Sequence, residues 1–156
     1  MKKKKSGDNL AKNPVVLIVD DNAQNLELMQ AYLEELECET VPAYDGLQAL
    51  EIVGKSKPDL VLLDIMMPQM SGFEVCRRLK KDPSTQDIPI IMVTALNEFG
   101  DIERGIDSGT DDFVSKPVNR LELLARVKTM LKLKHLSDKL ERTLSYLSEI
   151  EKDVHA

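Results

Sequence analysis

Asp59-Leu-Val-Leu-Leu-Asp64-Ile-Met-Met-Pro-Gln-Met-Ser-Gly72 joins an apolar run, an acid and a turn in fourteen residues. Four consecutive apolar residues, Leu60 to Leu63, run into Asp64, and Pro68 and Gly72 then mark a turn. An apolar run without polar alternation fits a strand covered on both faces, as strands of parallel sheets are. Such a strand delivers the Asp64 carboxylate to its own C-terminal end, the edge at which open α/β sheets bind ligands. Taken alone, an Asp in this position also serves as an ordinary turn residue. The rest of the chain decides between the two.

Upstream, Val15-Val-Leu-Ile-Val19 is a second such run and ends on two adjacent acids, Asp20 and Asp21. Leu26, Met29, Leu33 and Leu36 then recur at helical spacing and predict a helix from Asn22 to Leu36. A weaker strand is expected over Glu39 to Ala43, and Asp45-x-x-Gln48 has the form of a capping box opening a helix to about Val53. Downstream, Ser71-x-x-Glu74 repeats that form, and Phe73, Val75, Cys76 and Leu79 make an apolar helical stripe up to Lys81. Ile88-Pro-Ile-Ile-Met-Val-Thr94 predicts a fourth strand in which Pro89 is tolerable only near the start. A polar helix over Glu98 to Ser108 and a short strand over Asp112 to Ser115 follow, closed by Lys116-Pro117. Strands and helices alternating at this spacing are βα repeats. They predict an α/β fold with a doubly wound, five-stranded parallel sheet.

Parallel strands bring the residues that end strands one, three, four and five to one rim: Asp20 and Asp21, Asp64, Thr94 and Lys116. Three carboxylates crowded together repel, and a hard divalent cation relieves them. Mg²⁺ fits, because it takes oxygen ligands and keeps waters and phosphate oxygens in its shell. A hydroxyl and an ammonium beside it supply donors for phosphoryl oxygens. A carboxylate can itself be the nucleophile and form an aspartyl-phosphate.

The set Val19-Asp20-Asp21, Leu63-Asp64-Ile-Met-Met-Pro68 with Gly72, Val93-Thr94-Ala95 and Ser115-Lys116-Pro117 resembles the receiver domain of two-component response regulators. The resemblance covers residues 14 to about 133. Around Ser71 to Lys80 and Ser108 to Phe113 it is most like receivers that precede diguanylate cyclase or phosphatase output domains, and no such output domain is expected in these 156 residues. It implies the flavodoxin-like strand order 2-1-3-4-5. It implies Asp64 as the phosphoacceptor, served by a histidine kinase or phosphotransfer protein. Asp21, Asp64 and the backbone carbonyl of Met66 would ligate Mg²⁺, with Asp20 acting through a water. Lys116 would pair with Asp64 and then with the phosphate, Thr94 would swing in to bond it, and Phe113 would change rotamer in response. Many relatives carry Tyr or His where Phe113 stands. The Lys116-Pro117 bond is cis in that family.

Beyond this domain the helical pattern continues. Position a at Leu133, Leu140, Leu147 and Val154 gives d at Leu136, Thr143 and Ile150, a 3.5-residue repeat free of Gly and Pro. The sequence thus divides into a disordered basic tail at 1–13, a receiver at 14–132 and a helical extension at 133–156, read as a coiled coil that makes a homodimer. The flanking e and g residues, Lys139, Leu144, Tyr146 and Glu151 among them, leave its orientation open.

The net charge of −6 combines +4 in the first 13 residues with −10 in the remainder, so the body is a poor partner for nucleic acid. Neither a signal peptide nor a membrane span is expected. Cys38 and Cys76 show neither metal-ligand spacing nor a CxxC pair, which fits a reducing, cytoplasmic setting. The expected function is a phosphorylation-activated switch acting through protein contacts rather than an enzyme. The alternatives are a Mg²⁺-dependent aspartyl-phosphate phosphatase, whose class places its two acids two residues apart after the first strand, a flavodoxin-like flavin carrier, and a degenerate receiver that only binds partners.

Overall fold

The structure is a computed structural model and describes residues 13–95 and 99–154. Most of the expected basic tail, and Glu98, lie outside the described residues. Strands β1 (Val15–Val19), β2 (Glu39–Ala43), β3 (Leu60–Asp64), β4 (Ile90–Thr94) and β5 (Asp112–Ser115) alternate with five helices. These are α1 (Ala23–Leu33), α2 (Gly46–Ser56), α3 (Gly72–Lys81), α4 (Phe99–Ser108) and α5 (Arg120–Val154). The strands form one sheet in the order β2-β1-β3-β4-β5, and every neighbouring pair is parallel.

Both faces of the central strands are covered, which is why their sequences run apolar without alternation. Every residue of β3 and β4 is buried. Successive side chains point to opposite faces. Leu17, Val19, Val61, Leu63, Ile90 and Met92 pack with Ala49 and Val53 of α2 and Val75, Cys76 and Leu79 of α3. Val16, Ile18, Leu60, Leu62, Ile91 and Val93 pack with Leu26, Met29 and Leu33 of α1 and Leu123, Leu124 and Val127 of α5. Each Leu or Ile fully buried in this way contributes about 1.5–3 kcal/mol. The sheet is therefore a stiff base for whatever its strand ends carry. β2 is an edge strand with only Ala43 fully buried, which accounts for its weaker pattern and for Pro42 within it.

The helix starts follow the sequence with two adjustments. Asn22 caps α1 by accepting from the backbone N–H of Gln24 and Asn25 at 2.9 and 3.1 Å. Asp45 caps α2 by accepting from Gln48 N–H at 2.7 Å, but the Gln48 side chain reaches back to the N–H of Tyr44, one residue before the cap. Ser71 caps α3 by accepting from Glu74 N–H at 3.3 Å, while the Glu74 carboxylate turns to Arg77 and Arg78. α1 ends at Leu33, so Leu36 packs on the core from the following turn. β4 begins at Ile90, leaving Pro89 just outside, with its carbonyl accepting from Val61 N–H.

α5 is a single helix of 35 residues, about 52 Å at 1.5 Å per residue. Its first turns cover the sheet, with Met130 and Leu131 still partly buried there, and every residue from Lys139 to Val154 is exposed. α5 runs unbroken through residue 132, where the sequence leads one to expect a domain boundary. Among the described residues no helix is long and apolar enough to cross a membrane.

Candidate functional site

The register of the sheet builds the site. Val19 pairs with Leu63, Asp64 with Val93, and Thr94 with Ser115, so the C-terminal ends of β1, β3, β4 and β5 lie in line. Asp20, Asp64, Thr94 and Lys116 are thereby brought to one rim, as expected from the sequence. Lys116 N–H donates to the Thr94 carbonyl at 2.8 Å and carries the β4–β5 ladder one step further.

Asp20 is fully buried, Asp64 is 3% exposed and Thr94 4% exposed. Lys116 Nζ lies 3.1 Å from Asp64 Oδ1 and 3.4 Å from Asp20 Oδ2, and Asp20 Oδ1 accepts from Asn22 N–H at 2.9 Å. Asp20 is thus tied down through both oxygens, whereas Asp64 Oδ2 and the Thr94 hydroxyl have no hydrogen-bond partner among the described residues. Burial, and then the neighbouring Asp20 charge, push the Asp64 carboxyl up to about 6 against the pull of Lys116. Burial draws the Lys116 ammonium down, but its bonds and charge contacts with Asp64 and Asp20 outweigh this and its pKa is raised.

One carboxylate oxygen each from Asp20, Asp21 and Asp64 can be chosen so that all lie within 4.8 Å of one another. A single ammonium against three carboxylates leaves two negative charges uncompensated in a largely buried place. An all-oxygen donor set with that deficit fits a hard dication.

The loop after β3 holds Asp64 in place. Gly72 N–H donates to the Ile65 carbonyl at 2.9 Å, and a Cβ at Gly72 would lie 2.3 Å from the Asp64 carbonyl oxygen and 2.9 Å from Ile65 Cα. Glycine is needed there because the start of α3 rests directly on the end of the strand. Gln69 takes a left-handed conformation, φ 69°, in the same loop. Met66 is 78% exposed beside the rim. The Lys116-Pro117 peptide bond is cis.

Phe113 is half-buried on β5 and sits under α4, where a Cβ at Gly105 would come within 2.5 Å of its ring. The sequence pattern does not single out Gly105, because the contact joins two elements. The same holds for two clamps in the Thr110 to Phe113 stretch. Asp111 accepts from Ile90 N–H at 2.7 Å and from Lys80 Nζ at 2.9 Å, fixing the start of β4. Asp112 takes both its oxygens to Arg126 Nη1 at 2.9 Å and ties β5 to α5.

With this geometry in view, the family of response regulator receiver domains matches residues 16–128. The chain belongs to that family. It is a receiver domain homologous to response regulators and CheY-like proteins, which is consistent with phosphorylation-activated two-component signalling. It is 42% identical over 127 residues to the response regulator PleD of Caulobacter vibrioides, covering 81% of this chain and 28% of that protein. It is 44% identical over 117 residues to the phosphate regulon transcriptional regulatory protein PhoB of Pseudomonas aeruginosa, covering 75% of this chain and 51% of that one. The chain therefore spans about half the length of these relatives or less. Among solved structures, a CheY-like response regulator receiver protein from Methanospirillum hungatei superposes with a TM-score of 0.75 at 27% identity. That match covers 81% of this receiver and 99% of the other chain. The receiver domain of a signal transduction histidine kinase from Syntrophus aciditrophicus gives a TM-score of 0.73 at 34% identity, covering 76% and 90%.

Proposed function

We propose that Asp64 accepts a phosphoryl group from a phosphohistidine on a histidine kinase or a histidine phosphotransfer protein, and that the resulting acyl phosphate sets the signalling state of this receiver. The observation that carries the reading is the cluster of Asp20, Asp21 and Asp64 around one lysine at the ends of buried strands. Of the two buried members, Asp20 has both oxygens engaged, whereas Asp64 keeps one oxygen that has no hydrogen-bond partner among the described residues and can act as nucleophile. Asp21, Asp64 and the Met66 carbonyl would hold Mg²⁺, with Asp20 reaching it through a water. Bound there, the cation offsets the carboxylate charge and orients phosphoryl oxygens.

The Asp64 oxygen attacks phosphorus while the N–P bond breaks, and the electron pair leaves with the donor imidazole. Lys116 keeps its place beside Asp64 and pairs with the phosphoryl oxygens as they arrive. The Thr94 hydroxyl, which has no hydrogen-bond partner among the described residues, donates to one of them, and Phe113 turns toward the space that Thr94 leaves. The chain acts as a switch in the cytoplasm. Its own chemistry extends at most to self-phosphorylation from small donors and autodephosphorylation. It signals through protein contacts and not through nucleic acid or a membrane, and two copies join through the free half of α5.

Intact mass after treatment with a small phosphodonor and Mg²⁺ tests the reading. Wild type gains one phosphoryl group, and Asp64→Ala gains none. Equal labelling in the presence of excess chelator would count against the metal, and labelling of Asp64→Ala against the acceptor.

A further inference from the structure

The second half of α5 leaves the sheet with an apolar stripe that no described part of the chain covers. Leu133, Leu136, Leu140, Leu147, Ile150 and Val154 are between 41% and 72% exposed. They fall on the a and d positions of a heptad, interrupted only by Thr143. That interruption is mild, because the Thr143 hydroxyl donates to the Lys139 carbonyl at 3.0 Å. Its polar atom is satisfied inside its own helix and its methyl group is left for the seam.

The residues beside the seam give the direction of pairing. Leu144 at e and Tyr146 at g are 56% and 64% exposed and widen the stripe on opposite edges midway along it. Lys139 and Asp153, both at g, form no ion pair among the described residues. In a parallel pair each g residue faces an e residue of the other copy. Lys139 would then meet the partner's Leu144, Tyr146 would meet the partner's Glu151, and Thr143 would lie against its own image. In an antiparallel pair g faces g and e faces e. A two-fold axis level with Ser145 then sets Leu144 against the partner's Leu144, Tyr146 against the partner's Tyr146, and Lys139 against the partner's Asp153 twice over. The seam stacks Leu136 on the partner's Val154, Leu140 on the partner's Ile150, and Thr143 on the partner's Leu147. A face that complements its own image under a two-fold axis calls for a second copy of this chain as its occupant.

We propose that the free half of α5 pairs antiparallel with a second copy in this register. The inference rests on the pairing of two copies through α5 and adds its direction. The two receivers then stand at opposite ends of the helix pair, with their Leu131 residues about 42 Å apart along it. Each phosphoacceptor rim stays open to a phosphodonor protein while the pair is intact, and the two receivers of one pair do not touch.

Sedimentation equilibrium of the full chain tests this with charge reversals at exposed positions. Lys139→Glu alone and Asp153→Lys alone should each weaken the dimer roughly five- to tenfold, since exposed pairs are individually modest and two are lost in each homodimer. The double variant, and an equimolar mixture of the two single variants, should return to near wild-type affinity. A double variant no tighter than the singles would overturn the antiparallel register while leaving the dimer standing. A wild type that is monomeric at tens of micromolar would overturn both. As a second readout, mild oxidation of Leu144→Cys should give disulfide-linked dimers well above the wild-type background from Cys38 and Cys76. Efficient cross-linking of Thr143→Cys in its place would mean a parallel pair.

Discussion

At the rim, Asp20 and Asp64 are carboxylates withdrawn almost completely from water, while on the free half of α5 Leu140 and Leu147 keep 59% and 52% of their surface in it. Each region is unfavourable by itself. Buried like charges repel, and an uncovered apolar stripe exposes hydrocarbon that a core would remove from solvent. The two are tolerated for different reasons. The rim is held by strands whose burial outweighs its repulsion, and the stripe by a helix whose backbone is satisfied internally and carries no tertiary load. A stiff base can store a charge deficit until a ligand answers it, whereas a free helix face waits only for another face.

Substitutions in the two regions should therefore differ greatly in what they cost the receiver. Leu62→Ala, in the middle of β3, should destabilise by about 2–5 kcal/mol in urea unfolding. Gly72→Ala should follow at about 3 kcal/mol and also impair phosphorylation, because the added carbon meets the backbone of Asp64 and Ile65 with no flexible group to yield. An unchanged midpoint would mean that α3 is not seated on the strand end.

The rim's repulsion has the opposite sign. The Asp64 carboxyl in the folded chain titrates near 6, against 3.8 for the unperturbed group. A raised carboxyl favours the folded state at low pH. That advantage is lost as pH rises from about 4 to about 6, and the ionised group is a burden above that range. In chelator at pH 7–8, Asp64→Asn should therefore stabilise by on the order of 1–3 kcal/mol, and the gain should vanish by about pH 4. A gain that persists unchanged at pH 4 would mean that Asp64 ionisation is not its cause. Leu140→Asp with Leu147→Asp should have the smallest effect on the receiver, under about 0.5 kcal/mol in its urea unfolding, while abolishing the dimer in sedimentation. A large loss of receiver stability would mean that the free half of α5 folds back on the domain.

Much of this division is legible in the chain. The runs Val15 to Val19, Leu60 to Leu63 and Ile90 to Val93 announce covered strands because nothing polar interrupts them, and the residues that follow them are the rim. The α5 stripe is legible because a heptad needs only one helix to be seen. What the sequence hides are close approaches between elements. Gly72 reads as a turn residue, and its necessity appears only once the Asp64 carbonyl is beside it. Gly105 looks like a weak point in a polar helix until the Phe113 ring is placed beneath it. The Arg126 clamp on Asp112 spans a strand and a helix, and no periodicity links them. The Gln48 side chain satisfies Tyr44 instead of its own cap, an outcome that depends on how the chain enters the helix.

Reductive trapping can identify the phosphoacceptor by position. Borohydride converts an aspartyl-phosphate to homoserine, so peptide mapping of the chain after phosphodonor, Mg²⁺ and borohydride reads out the acceptor by position. Homoserine should appear at position 64 alone and be absent when chelator replaces Mg²⁺. Homoserine at Asp20 or Asp21, or undiminished trapping elsewhere in Asp64→Asn, would contradict Asp64 as the acceptor.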